Sequence, residues 1–318
     1  MQLWLSMAAG LAMLAVGGDL LVRGAASAAR RLGVSPLLIG LTVVGFGTST
    51  PELVTSLQAA FAGSPGIAIG NVVGSNISNV LLILGVTALV APLAVDQRAF
   101  RRDAIMLVLA TGGLAWAILQ GRLTREMGAV SLVLLGVYLT VVWLSERRRP
   151  DPEGVRIEAS AREPTKAAAS LWIALPLAAA GIAITVYGAQ LLVGGAITVA
   201  HQLGVSDTVV GLTIVALGTS LPELVTSLVA ALRRQGEVAL GNVVGSNLYN
   251  ILGILGITAA IKPVDVPPVI ARLDVWVLVA ATAAMILFAR RLGKVTRGEG
   301  LLLLTGYAAY IGWLVWTA

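Results

Sequence analysis

Apolar runs of about 20 residues recur along the chain, broken by short polar or Gly/Pro segments, and each run is long enough to cross a bilayer as a helix. Ten helices are predicted, over residues 2–29, 36–62, 67–91, 101–120, 125–145, 169–200, 207–232, 237–261, 271–290 and 299–317. The expected fold class is therefore an all-α membrane protein. The longest polar stretch, 146–166, is rich in Pro, Glu and Arg and cannot bury a core. It predicts a linker over 146–168 between two five-helix halves, 1–145 and 169–318. The N-terminal run also resembles a signal peptide, with Ala26-Ser27-Ala28 as a cleavage site. It lacks a basic start, and Asp19 interrupts its apolar stretch, so a first membrane helix is the preferred reading.

The pattern is duplicated. Residues 32–90 and 203–261 align without a gap at an offset of 171, and 35 of the 59 positions are identical. GFGTSTPELVTSL and GNVVGSNISN in the first copy become ALGTSLPELVTSL and GNVVGSNLYN in the second.

Composition agrees with a membrane chain: 57% of residues are hydrophobic and 12% charged, against about 25% charged in soluble domains. With no cysteine, disulfides, thiolate metal sites and thiol nucleophiles are excluded. The basic balance, +6, comes from short loops and reads as an orientation signal rather than a nucleic-acid surface. If both termini face outward, 18 of the 22 Lys and Arg residues fall on the cytoplasmic side. Only Arg122, Arg125, Lys262 and Arg272 stay outside. The copies carry opposite charge signatures. Arg30-Arg31 becomes His201-Gln202, and the neutral turn Gly63-Ser64 becomes Arg234-Gln235. An odd number of helices per half inserts the halves in opposite senses, so the expected fold is two inverted five-helix repeats.

The duplicated segments carry the chemistry. Pro51 lacks an N–H, so the carbonyl of Gly47 loses its helical partner at a depth without water. Thr48, Ser49 and Glu52 share one helix face, as do Thr219, Ser220 and Glu223. A proline kink alone usually reflects packing. A mid-membrane carboxylate changes that reading, because it costs at least ~2.5 kcal/mol when unpaired. No lysine or arginine stands in register with Glu52 or Glu223, so a shared cation explains both best. Gly70/Gly74 and Gly241/Gly245 are spaced for close helix packing. Ser75 and Asn79, like Ser246 and Asn250, place a hydroxyl and an amide on one face. Asn76 and Asn247 point elsewhere, either to helix–helix hydrogen bonds or to the site. All these ligands are oxygens, which suits Na⁺ and Ca²⁺ better than Zn²⁺ or Cu⁺.

These paired motifs, GTSTPE with GNVVGSNISN and GTSLPE with GNVVGSNLYN, resemble the two alpha-repeats of the calcium/cation antiporter superfamily, most closely its sodium/calcium exchanger branch. The resemblance implies exchange of Ca²⁺ for Na⁺ by alternating access in a prokaryotic plasma membrane. It implies calcium ligands at Glu52, Glu223 and the carbonyls of Thr48 and Thr219. It also implies sodium-site groups at Ser49, Ser75, Ser220 and Ser246, with backbone oxygens near Gly45 and Ala216. Asn79 and Asn250 match the branch's amide or acid positions, and relatives resembling this chain place an aspartate where Asn250 stands. The two long helices, first and sixth, are expected to slide as a gating pair. Asp19 is expected to pair with Arg23 four residues on, or else to line an ion path.

The alternatives are H⁺ or K⁺ as the coupling ion, a passive cation channel and, more remotely, a membrane enzyme. No Ser/His or HExxH constellation supports an enzyme, and His201 is expected in an outside loop with Asp207 and Arg233/Arg234 as loop charges. No cofactor, nucleic acid or obligate protein partner is expected; the partners are the transported ions and the bilayer.

Overall fold

The computed structural model describes residues 2–147, 170–202 and 216–317. The linker expected over 146–168 and the start of the helix expected over 207–232 lie largely outside these residues. The described chain is mostly helical. α1 (Gln2–Leu32) is followed by a bent pair, α2 (Pro36–Thr48) and α3 (Thr50–Phe61), which meet at 45°. Then come α4 (Pro65–Val90), α5 (Gln97–Leu119), α6 (Arg125–Arg147) and α7 (Leu171–Gln202). After the undescribed stretch follow α8 (Ala216–Thr219), α9 (Leu221–Leu232), α10 (Gly236–Ile261), α11 (Ile270–Arg291) and α12 (Arg297–Thr317). Among the described residues, eight helices are long and apolar enough to span a membrane, and the bent pair would be a ninth.

Local signals set the boundaries. Ser35 accepts from Leu38 N–H ahead of Pro36, a favourable start to α2. Gly33, at φ +63°, supplies the left-handed turn that ends α1. Asp96 caps α5 by accepting from the N–H groups of Arg98 (2.9 Å) and Ala99 (3.1 Å). This starts α5 four residues before the predicted position. His201, expected in a loop, belongs to the last turn of α7.

The centre of the molecule is the pair α4 and α10, whose spans are each 78% buried, against 17–33% for α1, α6, α7, α11 and α12. The outer helices show large apolar side chains, such as Trp172, Val133 and Trp316, as lipid-facing surface requires. α2 crosses α10 closely enough that a Cβ on Gly245 would stand 2.4 Å from the Leu41 carbonyl oxygen, and one on Gly241 2.6 Å from that of Leu37. Small residues make this approach possible. α1 and α7 run along each other through a second glycine seam: Gly10 meets Gly188, Gly17 meets Thr185 and Gly181, and Gly24 meets Ala178.

Two features were not legible in the sequence. Loops 93–94 and 294–295 form an antiparallel ribbon, β1 (Leu93–Ala94) with β4 (Lys294–Val295). A second ribbon joins β2 (Arg122–Leu123) and β3 (Val264–Asp265). The helices also contain widened π-type turns at Gly40–Val44, Asn79–Leu84, Tyr249–Ile254 and Ile270–Asp274.

The glycine seam yields a stability prediction. Gly245→Ala forces α2 and α10 apart and should cost about 1–3 kcal/mol. Gly112→Ala, where a Cβ meets nothing within 4 Å, should leave stability unchanged. Thermal unfolding of both variants in detergent reads the difference.

Candidate functional site

The helix breaks at the same point in both copies. Ser49 (φ −80°, ψ 11°) and Ser220 (φ −89°, ψ 5°) leave the helical region one residue before the turns carrying Pro51 and Pro222. Glu52 and Glu223 then sit in the first turns of α3 and α9. Negative charge there is favoured by the helix dipole. Both glutamates are about 1% exposed, and Thr48, Ser49, Ser75, Asn79, Ser220, Ser246 and Asn250 are buried with them. Gly45 is buried on the same bent segment, and Ala216 opens the short helix that ends at Thr219.

The central hydrogen bonds run between the copies. Ser49 Oγ donates to Glu223 Oε1 at 2.9 Å, and Ser220 Oγ reaches Glu52 Oε1 at 3.4 Å. Helical spacing had placed Ser49 beside Glu52; the bend instead turns each serine to the opposite glutamate. Among the described residues, the second oxygen of each glutamate, Oε2, is buried without a hydrogen-bond partner, and so are both amide atoms of Asn250 and Oδ1 of Asn79. Buried polar atoms are rarely left so, which marks a place for a ligand. Among the described residues no three His, Cys, Asp or Glu side chains gather. The donor set is therefore two carboxylates and neutral oxygens, which fits a hard cation.

Several expected ligands are occupied. The Gly47 carbonyl freed by Pro51 accepts from Thr50 Oγ1 at 2.9 Å, so it is satisfied locally. The second copy has Leu221 in place of Thr50 and cannot do this. The Gly45 carbonyl accepts from Ser49 N–H and from Ser246 Oγ, both at 3.2 Å. Thr48 Oγ1 lies within 3.1 Å of the Val44 carbonyl and 3.3 Å of Asn242 Oδ1. Asn79 Nδ2 donates to Asn247 Oδ1 at 3.0 Å, so Asn247 is a link between α4 and α10, while Asn76 bonds back to Val72 on its own helix.

A second pair of clasps, not expected from helical spacing, holds the glutamate-bearing turns. Asn71 Nδ2 reaches the Glu52 carbonyl (3.0 Å) and Ser56 Oγ (2.9 Å). Asn242 Nδ2 does the same to Glu223 (3.2 Å) and Ser227 (2.8 Å). Each fastens a glutamate-bearing turn to its neighbouring helix. The signal was present, since both asparagines follow their glutamate by 19 residues in identical GNVVGSN strings. Outside the aligned repeats, the Tyr138 hydroxyl donates to Asp103 (3.0 Å) and the Tyr310 hydroxyl to Asp274 (2.8 Å). Asp103 and Asp274 are also 171 apart. Asp19 pairs with Arg23 at 2.8 Å, as expected, and additionally with Arg233 at the end of α9. Arg233 is thus more than a loop charge.

Residues 2–144 and 173–316 match the family model described as sodium/calcium exchanger protein. The chain belongs to the sodium/calcium exchanger family. CaxA of Alkalimonas amylolytica, named as a candidate antiporter, is 41% identical to this chain over 308 residues, 95% of each chain. The sodium/calcium exchanger MaX1 of Methanosarcina acetivorans is 34% identical over 343 residues, again 95% of each. The solved structure of the exchanger NCX_Mj, soaked with Na⁺ and Ca²⁺, superimposes with a TM-score of 0.81 at 33% identity and covers 98% of both chains. This protein is thus a multi-pass membrane protein of a cation-antiporter family.

The clasps are testable apart from the carboxylates. Asn71→Ala and Asn242→Ala should each weaken Ca²⁺ binding about tenfold or more, because the glutamate-bearing turn loses its anchor. Calorimetric Ca²⁺ titration of the purified variants measures it.

Proposed function

We propose that this protein exchanges Ca²⁺ for Na⁺ across a prokaryotic plasma membrane by alternating access, both ions competing for one cage around Glu52 and Glu223. The observation that carries this reading is the reciprocal bonding of the glutamates. Each is oriented by a serine of the other repeat and keeps one buried oxygen without a partner. A cation between the two repeats would satisfy both oxygens. An emptied cage would carry buried negative charge through the membrane interior, which opposes return without an ion. Thr48, Thr219, Ser49, Ser220, Ser75, Ser246, Asn79, Asn250 and the backbone near Gly45 and Ala216 are assigned here to the surrounding oxygen shell.

Ten spans in two inverted halves are part of the same proposal. The pairing of β2 with β3 sets the loop after α5 beside the loop after α10, as two inverted halves would. The bond of Lys262 Nζ to the Phe61 carbonyl (3.5 Å) and that of Arg297 to the Val90 carbonyl (3.3 Å) join loop ends that this topology puts on common faces. The excess of cytoplasmic Lys and Arg supports outward termini. α1 and α7, joined along their glycine seam, are the moving pair, and Asp19–Arg233 fastens α1 to the end of α9.

H⁺ is the second reading for the coupling ion. It is favoured by Asn250, which leaves the cage two carboxylates, enough to balance one Ca²⁺ or two Na⁺. Calcium uptake into liposomes under imposed Na⁺, K⁺ or H⁺ gradients separates the readings. The Na⁺ gradient should drive uptake, and Glu52→Gln or Glu223→Gln should reduce it more than tenfold. Asn250→Asp should alter the sodium or pH dependence more than the calcium affinity. Uptake unaffected by either glutamine variant contradicts the shared cage. Uptake driven by H⁺ alone replaces sodium as the coupling ion.

A further inference from the structure

The start of α5 and the end of α11 are brought together by the β1–β4 ribbon and by Gln97 Nε2, which donates to the Ala289 carbonyl at 2.6 Å. Between them lies a groove of about 370 Å³. Its floor is apolar, built from Ile105, Val108, Leu109 and Ile286, and its rim carries Arg101 and Arg290. The three α5 side chains Ile105, Val108 and Leu109 are each 57% exposed.

The nearby acids are already engaged. Asp96 caps α5, Asp103 is held by Arg102 and Tyr138, and Glu299 accepts from Thr296. Among the described residues Arg101 and Arg290 form no ion pair. Two guanidiniums without an ion pair among the described residues thus stand near the helix ends, beside a trough of exposed apolar side chains. That arrangement is complementary to an amphiphile with an anionic head.

We propose that this groove binds an anionic phospholipid, its phosphate bridged by Arg101 and Arg290 and an acyl chain lying along Ile105, Val108, Leu109 and Ile286. The positions 171 residues away sharpen the assignment. Arg101 corresponds to Arg272, but Arg290 corresponds to Leu119, so the equivalent pair of positions carries a single arginine. The site therefore belongs to one leaflet. That leaflet is cytoplasmic on the orientation proposed above, and the assignment to one leaflet, with its name, rests on that reading. A lipid held there ties α5 to α11 beside the ribbon and braces that end of the molecule.

The test uses purified full-length protein in detergent, with lipid adducts read by native mass spectrometry and thermal unfolding read in parallel. Phosphatidylglycerol should be retained at least about tenfold better than phosphatidylcholine and should raise the unfolding temperature. The double variant Arg101→Gln/Arg290→Gln should lose that preference while unfolding at the wild-type temperature in the absence of lipid. Arg272→Gln should keep the preference. Glutamine at Glu52 and Glu223 should also keep it, which separates failure of this site from failure of the transport reading. Equal retention of both lipids, or an undiminished preference in the double arginine variant, would overturn the proposal. Glycerol 3-phosphate matching the full lipid would overturn the role given to the acyl chain.

Discussion

Two buried carboxylates in a membrane protein, without a basic partner among the described residues, are the constraint on which the rest depends. Glu52 and Glu223 are almost fully shielded, and a lone charge at that depth is costly. The chain offers them serine hydroxyls, each from the opposite repeat, and leaves one oxygen of each without a partner. Hydrogen bonds from two hydroxyls orient the carboxylates but leave their charge uncancelled. A divalent cation, or two monovalent ones, closes the balance. On the exchange proposed above, the same arithmetic would make the two ion types competitors.

The surrounding architecture brings these groups to one place. Proline breaks the helices so that the glutamates fall in first turns, and serines at the breaks can swing across. Glycines let α2 and α10 approach almost backbone to backbone, which positions Ser246 on the Gly45 carbonyl. The Asn71 and Asn242 clasps then hold the glutamate-bearing turns. Symmetry is incomplete. Asn79 bonds Asn247, while the matching Asn250 side chain has no hydrogen bond among the described residues, and Thr50 caps a carbonyl where the other copy has Leu221 and no hydroxyl. One repeat is therefore more saturated than the other. Among the described residues Asn250 has neither amide atom hydrogen-bonded, whereas Asn79 leaves only Oδ1 so.

Much of this was legible in the sequence because it is written twice. The spans, the broken helices, both glutamates and their hydroxyl neighbours follow from hydrophobic run length, proline and the offset of 171. The exchange of serines between repeats was not legible, because helical spacing relates only residues on one helix and a bend of 45° overrides it. Gly47 shows a similar limit: proline predicted a free carbonyl, and a threonine next to that proline closed it. Asn71 and Asn242 were visible as repeated letters, but their partners lie on other helices. The two-residue ribbons and the π-type turns leave no periodic signal. Asp103 and Asp274 kept the repeat offset beyond the aligned blocks, where similarity is too thin to draw notice.

The shared cage is tested most directly by equilibrium binding of radiolabelled Ca²⁺ to the purified protein while Na⁺ is titrated against it. The account predicts one Ca²⁺ per chain, displaced completely by Na⁺ with a Hill coefficient above one. Two Ca²⁺ per chain, or Ca²⁺ that stays bound at saturating Na⁺, would contradict it.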